Sequence, residues 1–546
     1  MFTYRYDDLR FESRRSPLIA RRAAVATSQP LAARVGLDVL QSGGNAADAA
    51  VATAAALNVV EPTMTGIGGD CFALYFDASS RTVHAVNGSG RAPAALTLAE
   101  LERRGVGESL PQRSALAVTV PGAAAAWSDT VSRHGRLALA DVLAPAIALA
   151  EEGTPVSPLV AHLWAEGEPH LRQGPHAGEM LLRGRPPRAG EIWRNPMLAR
   201  TLRAVADGGS EAFYTGRIAD AVCTVVQRLG GVLEPADLAA HRSTFEAPIR
   251  ARYGGYWVYE CAPPGQGLAA LVALQIAAEL PLAGRNPRSA EVLHLLIEAM
   301  RLAFADARRY VADPAFGGVP LAALLDPAYA ARRRALIDPA RATVDPGAGS
   351  PAATSDTVYL AVVDEEGNAC SFINSNYNGF GTGLVPEGCG FTLQNRGRGF
   401  SLDPAHPNAL APGKRPYHTI LPGLVTHADG ELHACFGVMG AFMQPQGHLQ
   451  LLVNLLTHGM DPQSALDAPR FRIVAEEEGG RVQLEEGIPD AVLGRLAELG
   501  HPVERVTGLY RASGKLGRGQ VIARDRDSGA LWAGSDGRAD GAAVGY

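Results

Sequence analysis

The stretch TSDTVYLAVVDEEGNACSFINSNYNGFGTG, residues 354–383, decides how the rest of the chain is read. A short polar segment ends at Asp356, and an apolar strand begins abruptly at Thr357 and runs through Val358, Tyr359 and Leu360. A turn marked by Gly367 leads into a second strand from Ala369, and the run closes in the Gly-rich loop GFGTG, 379–383. Just upstream, DPARATVDPGAGSPAATS, 338–355, has the Pro, Gly, Ala and Ser content of an exposed linker. Thr357 therefore stands where a linker meets a buried strand. If the Asp356–Thr357 bond is cut, Thr357 gains a free α-amine beside its hydroxyl. With a pKa of roughly 7.7–8.0, a usable fraction of that amine, on the order of 10–20%, is neutral and able to act as a base near pH 7, where a lysine would be almost wholly protonated. Nucleophile and general base then share one residue. Before cleavage the nitrogen is an amide and cannot act this way. On spacing alone the plainer reading, an ordinary threonine opening a strand, stands beside this one.

Working outward, 546 residues exceed the roughly 250–300 that one core supports, so the chain forms about two to four domains or one large layered unit. Its 47% hydrophobic and 19% charged residues are those of an ordinary globular protein. A net charge of −6 argues against nucleic acid or an anionic membrane as main partner. The opening MFTYRYDDLRFESRRSPLIA lacks a leader's apolar run, and no stretch of about 18 apolar residues occurs, so a cytoplasmic location is expected. The six cysteines (71, 223, 261, 370, 389 and 435) form no C-x-x-C pair and read as buried thiols. No G-x-S-x-G elbow, H-E-x-x-H helix or Walker-type loop is present. What remains is side-chain chemistry without cofactor or metal.

The first two thirds of the chain reads as mainly helical. Pro30 opens one helix, Gly43 and Gly44 end it, and Asn45 caps an Ala-rich second helix to about Leu57. A Gly-rich turn, TGIGGD, precedes a strand over 71–76. A strand and two helices are expected over 117–152, one amphipathic helix over 211–231, and a strand, turn and helix over 251–280. In the strongly periodic helix 291–314, His294 and Glu298 lie one turn apart, a spacing compatible with a metal. Without a third ligand that pair reads as surface polarity. Beyond the linker strands are expected at 357–364, 369–374, 390–395, 418–427 and 431–438, helices near 446–458 and 487–499, and strands at the end.

Ordered blocks along nearly the whole chain carry a resemblance. They are GGNAADAAVATAAALNVVEP with TGIGGD; VPGAAAAW; EAFYTG; HLLIEAMRLAFADARRY; DTVYLAVVDEEGNACSF with GFGTG; KRPYHTILPGLV; GVMGAFMQPQGH; DAPRF; and SDGRADGAAVGY. In these the chain resembles the gamma-glutamyltransferase superfamily of N-terminal-nucleophile hydrolases. The resemblance implies an α+β, four-layer αββα sandwich and autocatalytic cleavage between Asp356 and Thr357. It further implies a large subunit, 1–356, ending in the 338–356 linker, and a small subunit, 357–546. The two remain together as a heterodimer, with further dimerisation left open.

Position by position, Thr357 matches the nucleophile and Ser375 the hydroxyl that hydrogen-bonds it. Gly440 and Ala441 fall where two successive glycines supply oxyanion-hole N–H groups. The departures concern substrate binding. Ser89 replaces the arginine that holds an α-carboxylate, while Arg91 lies two residues on; Tyr377 replaces an asparagine. Arg396 and Gly399 replace the residues that receive the α-amine, with Asn395 beside them, and His418 and Thr419 replace two serines. The stretch between Phe400 and Lys414, a lid in gamma-glutamyl enzymes, is shorter here. Arg91 and Arg396 in place of an acid suit a carboxylate-bearing amide without an amine. In this the chain is more like the branch containing oxamate amidohydrolase and the glutathione hydrolase-like proenzymes. Each pocket residue also has a plainer reading as packing. The expected activity is hydrolysis of a small, oxamate-like amide through an acyl-enzyme. The alternatives are a gamma-glutamyl hydrolase or transferase acting on glutathione, and a ligand-binding relative without catalysis.

Overall fold

The computed structural model describes residues 15–343, 356–474, 480–508 and 514–546, so most of the expected linker, 344–355, lies outside the described residues. The fold is α+β. Two antiparallel sheets of seven strands each form its centre. The first runs Ala542–Gly545, Ala24–Thr27, Asp356–Val363, Ala369–Tyr377, Asp70–Asp77, Thr82–Gly88 and Thr244–Glu246. The second runs Leu18–Ala20, Leu531–Ser535, Arg518–Arg524, Leu432–Met439, Gly423–His427, Tyr256–Glu260 and Ile249–Tyr253.

The strand after Asp356 shows why the sheets stack. Its residues are apolar on both faces, the pattern of a strand covered from two sides. Val358, Leu360 and Val362 enter one core with the Pro30–Gln41, Ala46–Val60, Ala123–His134 and Leu139–Glu152 helices. Tyr359, Ala361 and Val363 enter a second core, shared with Leu424, Cys435, Ile522 and Ala533 of the other sheet. A third core joins the outer face of that second sheet to the Gly267–Ala277, Ala290–Tyr310 and Met443–Leu452 helices. The Ala-rich helix Ala46–Val60 is buried along its whole length, as small side chains allow, and Asn45 caps it in a capping box with Asp48.

Several expected elements are shorter or absent. Residues 390–395 form no strand: Gly388 and Gly390 turn the chain at positive φ, and the N–H groups of Leu393, Gln394 and Asn395 bond singly to Leu384, Gly68 and Asn376 rather than along one ladder. The 211–231 helix breaks at Gly216, φ 64°, into Glu211–Tyr214 and Gly216–Arg228. Residues 118–121 are extended but unladdered, with Val120 N–H on the Arg91 carbonyl. The expected 418–427 strand begins only at Gly423; before it, His418 is held by backbone bonds to Pro264 and Gln266. All six cysteines are buried free thiols. No helix among the described residues is long and apolar enough to cross a membrane.

Candidate active site

The strands Asp356–Val363 and Ala369–Tyr377 pair antiparallel, with Asp356 opposite Tyr377 and Val358 opposite Asn374. Two residues, Ser375 and Asn376, therefore stand against Thr357 alone, a bulge of the kind that re-aims side chains beside functional sites. Thr357 shares the parity of Tyr359, the side facing the second sheet. Its hydroxyl is buried, 3.0 Å from Ser375 Oγ. Ser375 Oγ also accepts the Tyr377 N–H at 2.9 Å and an Arg396 Nη2 hydrogen at 3.3 Å. Those two donors occupy its lone pairs, so its own hydrogen is shared among the remaining oxygens, Thr357 Oγ1 included.

Arg396 is fully buried. It donates from Nη1 to Thr419 Oγ1 at 2.8 Å, and its guanidinium lies 4.2 Å over the Tyr377 ring. Its Nε is 3.9 Å from Asp70 Oδ2. Burial draws the Arg396 pKa down to about 10 against the pull of Asp70, which still leaves it a cation at neutral pH. Tyr377 holds a φ of 77°, a left-handed conformation that bulky residues rarely adopt, and its ring fills the space under the guanidinium. Asp70 Oδ2 accepts His418 Nε2–H at 2.9 Å; Oδ1 accepts the Gly90 N–H and Gln394 Nε2–H, both at 3.0 Å. Burial first, then the Arg396 cation, push the His418 pKa down to about 4. His418 is thus a neutral donor near pH 7.

Met439 ends its strand, and Gly440 and Ala441 turn the chain into the helix Met443–Leu452 at φ 128° and 53°. Among the described residues neither amide N–H is engaged by another group. Two successive unengaged N–H groups in the turn that leads into a helix are suited to stabilise a developing oxyanion. Ala441 therefore adopts the conformation a glycine would take, and Gln266 Nε2 pins its carbonyl at 2.8 Å and that of Thr419 at 2.7 Å. Ala441→Gly should remove the left-handed penalty and add unfolded-state entropy. The expected net is about 0.5–1 kcal/mol of stabilisation in a thermal melt, with activity within about twofold.

Thr357, Ser375, Tyr377, Arg396, His418 and Thr419 thus form one connected cluster through Asp70. Two of the residues singled out from the sequence sit differently. Arg91 is about one third exposed and lies 4.0 Å from Asp313, with no contact to that cluster among those described. Asn395 spends its amide on the protein, donating to the Gln112 carbonyl and Asn378 Oδ1 and accepting Asn378 N–H. Sequence reasoning passed over Asp70 and Gln266. Asp70 ended a quoted Gly-rich block and Gln266 lay in the Pro/Gly turn APPGQG, so residue type in a tight turn was the available signal.

Comparison with known proteins finds relatives along almost the whole chain. The family described as Gamma-glutamyltranspeptidase matches residues 32–546. The glutathione hydrolase-like YwrD proenzyme of Bacillus subtilis is 37% identical over 97% of this chain and 99% of its own length. The oxamate amidohydrolase proenzyme of Klebsiella pneumoniae is 37% identical, over 94% and 97%. Among solved structures, a cephalosporin acylase from Bacillus halodurans superposes with a TM-score of 0.91 at 42% identity, covering 100% of this chain and 99% of that one. On the match along almost its entire length, the chain belongs to the gamma-glutamyltranspeptidase family.

Proposed function

We propose that the protein is an autoprocessed N-terminal-threonine amidohydrolase, cut between Asp356 and Thr357. The observation that carries this reading is the buried Thr357 hydroxyl at the start of an inner strand, 3.0 Å from Ser375 Oγ. After cleavage Thr357 Oγ1 attacks the amide carbonyl while its α-amine takes the hydroxyl proton and later delivers it to the leaving amine. The Gly440 and Ala441 N–H groups receive the oxyanion, each donor worth about 2.7–4 kcal/mol. Water then hydrolyses the acyl-enzyme. The fragments 1–356 and 357–546 stay together in this reading, because strands of both interleave within each sheet. The three cores around two sheets support the four-layer αββα arrangement.

The acyl group is a small one bearing a carboxylate, oxamate-like. Asp70, the acid at this site, is already engaged by His418, Gly90 and Gln394 and faced by Arg396, which leaves it unavailable to a substrate ammonium. The names of the K. pneumoniae and B. subtilis relatives point to oxamate and to glutathione respectively. Turnover of oxamate without turnover of a gamma-glutamyl anilide supports the first; turnover of the anilide alone overturns it. Edman sequencing of the smaller fragment should read TVYLAVV; another start, or one intact active chain, sinks the cleavage reading.

The Arg396 cation lies two hydrogen bonds from Thr357, through Ser375. A neighbouring cation disfavours the ammonium form, so the α-amine should titrate below its ordinary value of roughly 7.7–8.0. kcat/KM should therefore rise with pH through an apparent pKa below that range. In Arg396→Gln the acid limb should move up, toward the ordinary value. A limb that stays put on the pH–rate profile refutes the assignment.

A further inference from the structure

Away from the Thr357 site, the helix Ala290–Tyr310 carries the His294 and Glu298 that the sequence reads as surface polarity. The structure buries both, each 1% exposed, and sets His501 against them from beyond the Asp490–Glu498 helix. One ligand atom from each of the three lies within 4.8 Å of the others. His294 Nε2 is 2.8 Å from the Asp338 carbonyl. A carbonyl only accepts, so the neutral ring carries its hydrogen on Nε2 and its Nδ1 accepts the His501 Nε2–H at 2.7 Å, a hydrogen that moves to His501 Nδ1 when Nε2 coordinates. That carbonyl contact is the outer arrangement that commonly orients a histidine ligand. Glu298 Oε2 accepts the Thr343 N–H, whereas Glu298 Oε1 and His501 Nδ1 have no hydrogen-bond partner among the described residues. Buried polar atoms without partners are rare and call for a cause.

The geometry points to a divalent transition-metal site of zinc type, with the imidazoles of His294 and His501 and the Glu298 carboxylate as its three protein ligands. Two nitrogens and one oxygen form a donor set suited to zinc, with further positions left to water. Burial pushes the His501 pKa down to about 3, so the ring is neutral and able to coordinate at pH 7. Burial raises the Glu298 carboxyl, a bias that a bound dication reverses. Two constraints oppose binding. Nitrogens bound to tetrahedral zinc stand roughly 3.3 Å apart, so the rings must part slightly. Arg301 is the competing cation, its Nε 3.9 Å from Glu298 Oε1 while Nη2 holds the Gly480 carbonyl. His294 and Glu298 precede Thr357 in the chain and His501 follows it. On the proposed cleavage the ion therefore ties the two fragments together, although the site itself does not depend on cleavage.

The test uses the full-length protein, stripped of metal and then dialysed against zinc or cobalt(II). The expected result is about one equivalent of retained zinc by plasma mass spectrometry, cobalt d–d absorption in the visible range, and a melting temperature that rises with zinc concentration. His501→Gln and Glu298→Gln should lose all three. Retention below about 0.1 equivalent, with no cobalt band and no zinc-dependent melting shift in the wild type, overturns the site. Retention and shifts that persist in both variants place the ion elsewhere and overturn it equally. If one variant does not fold, the other decides the location, read against the wild-type cobalt band, since nitrogen and oxygen ligation in a protein gives a band distinct from aqueous cobalt.

Discussion

Thr357→Ala should run as a single full-length band on a denaturing gel and hydrolyse no amide. The wild type should run as two bands. In the proposed mechanism one hydroxyl attacks both the Asp356–Thr357 bond and the substrate, so its removal should make both events fail together. The loss in kcat/KM should reach at least about 10⁴-fold, because losing a nucleophile leaves only binding and oxyanion stabilisation. The fold should survive, since only one buried hydroxyl and its 3.0 Å contact to Ser375 are lost. Thr357→Ser keeps the hydroxyl but gives up the methyl that restricts χ1; slower processing with measurable activity is expected. Two bands from Thr357→Ala, seen by gel and intact-mass spectrometry, would refute self-cleavage by this residue.

The second large effect concerns Asp70. In Asp70→Asn the buried Arg396 guanidinium loses its counter-charge and keeps only the neutral oxygens of Thr419 and Ser375. Breaking one side of a buried ion pair typically costs about 3–5 kcal/mol, and that is the expected loss in denaturant unfolding. Arg396→Gln should cost less, on the order of 1–3 kcal/mol. Asp70 retains N–H donors from Gly90, Gln394 and His418 after that change. The double variant should be little worse than Arg396→Gln alone, because no uncompensated charge remains. Additive losses across the four proteins would show that the two groups do not interact, and the electrostatic account of the pocket would fail with them.

Much of the inner architecture was legible because it follows from local chemistry. The helix over Ala46–Val60 follows from an asparagine cap and a run of alanines. The hairpin around Gly367 follows from two apolar runs and a turn, and it alone sets Thr357 against Ser375, eighteen residues away. Elements whose backbone partners are distant were read less well. Residues 390–395 have strand-like composition, yet glycines at positive φ divert their hydrogen bonds into loops. His294 and Glu298 looked like surface polarity because His501, more than two hundred residues on, is invisible to helical spacing.

By itself the sequence determined the α+β character and the family blocks and nominated Thr357 and the boundary before it, since these depend on residue type and short-range order. Only the tertiary structure decided what the pocket charges face. Arg396 reads in the sequence as a free cation for a substrate carboxylate, but in the fold Asp70, Thr419, Ser375 and the Tyr377 ring surround it. Arg91, grouped with it on the same grounds, is part-exposed beside Asp313. A charge acquires its partners only when segments far apart in the chain pack together, and in a buried site those partners set what it can bind.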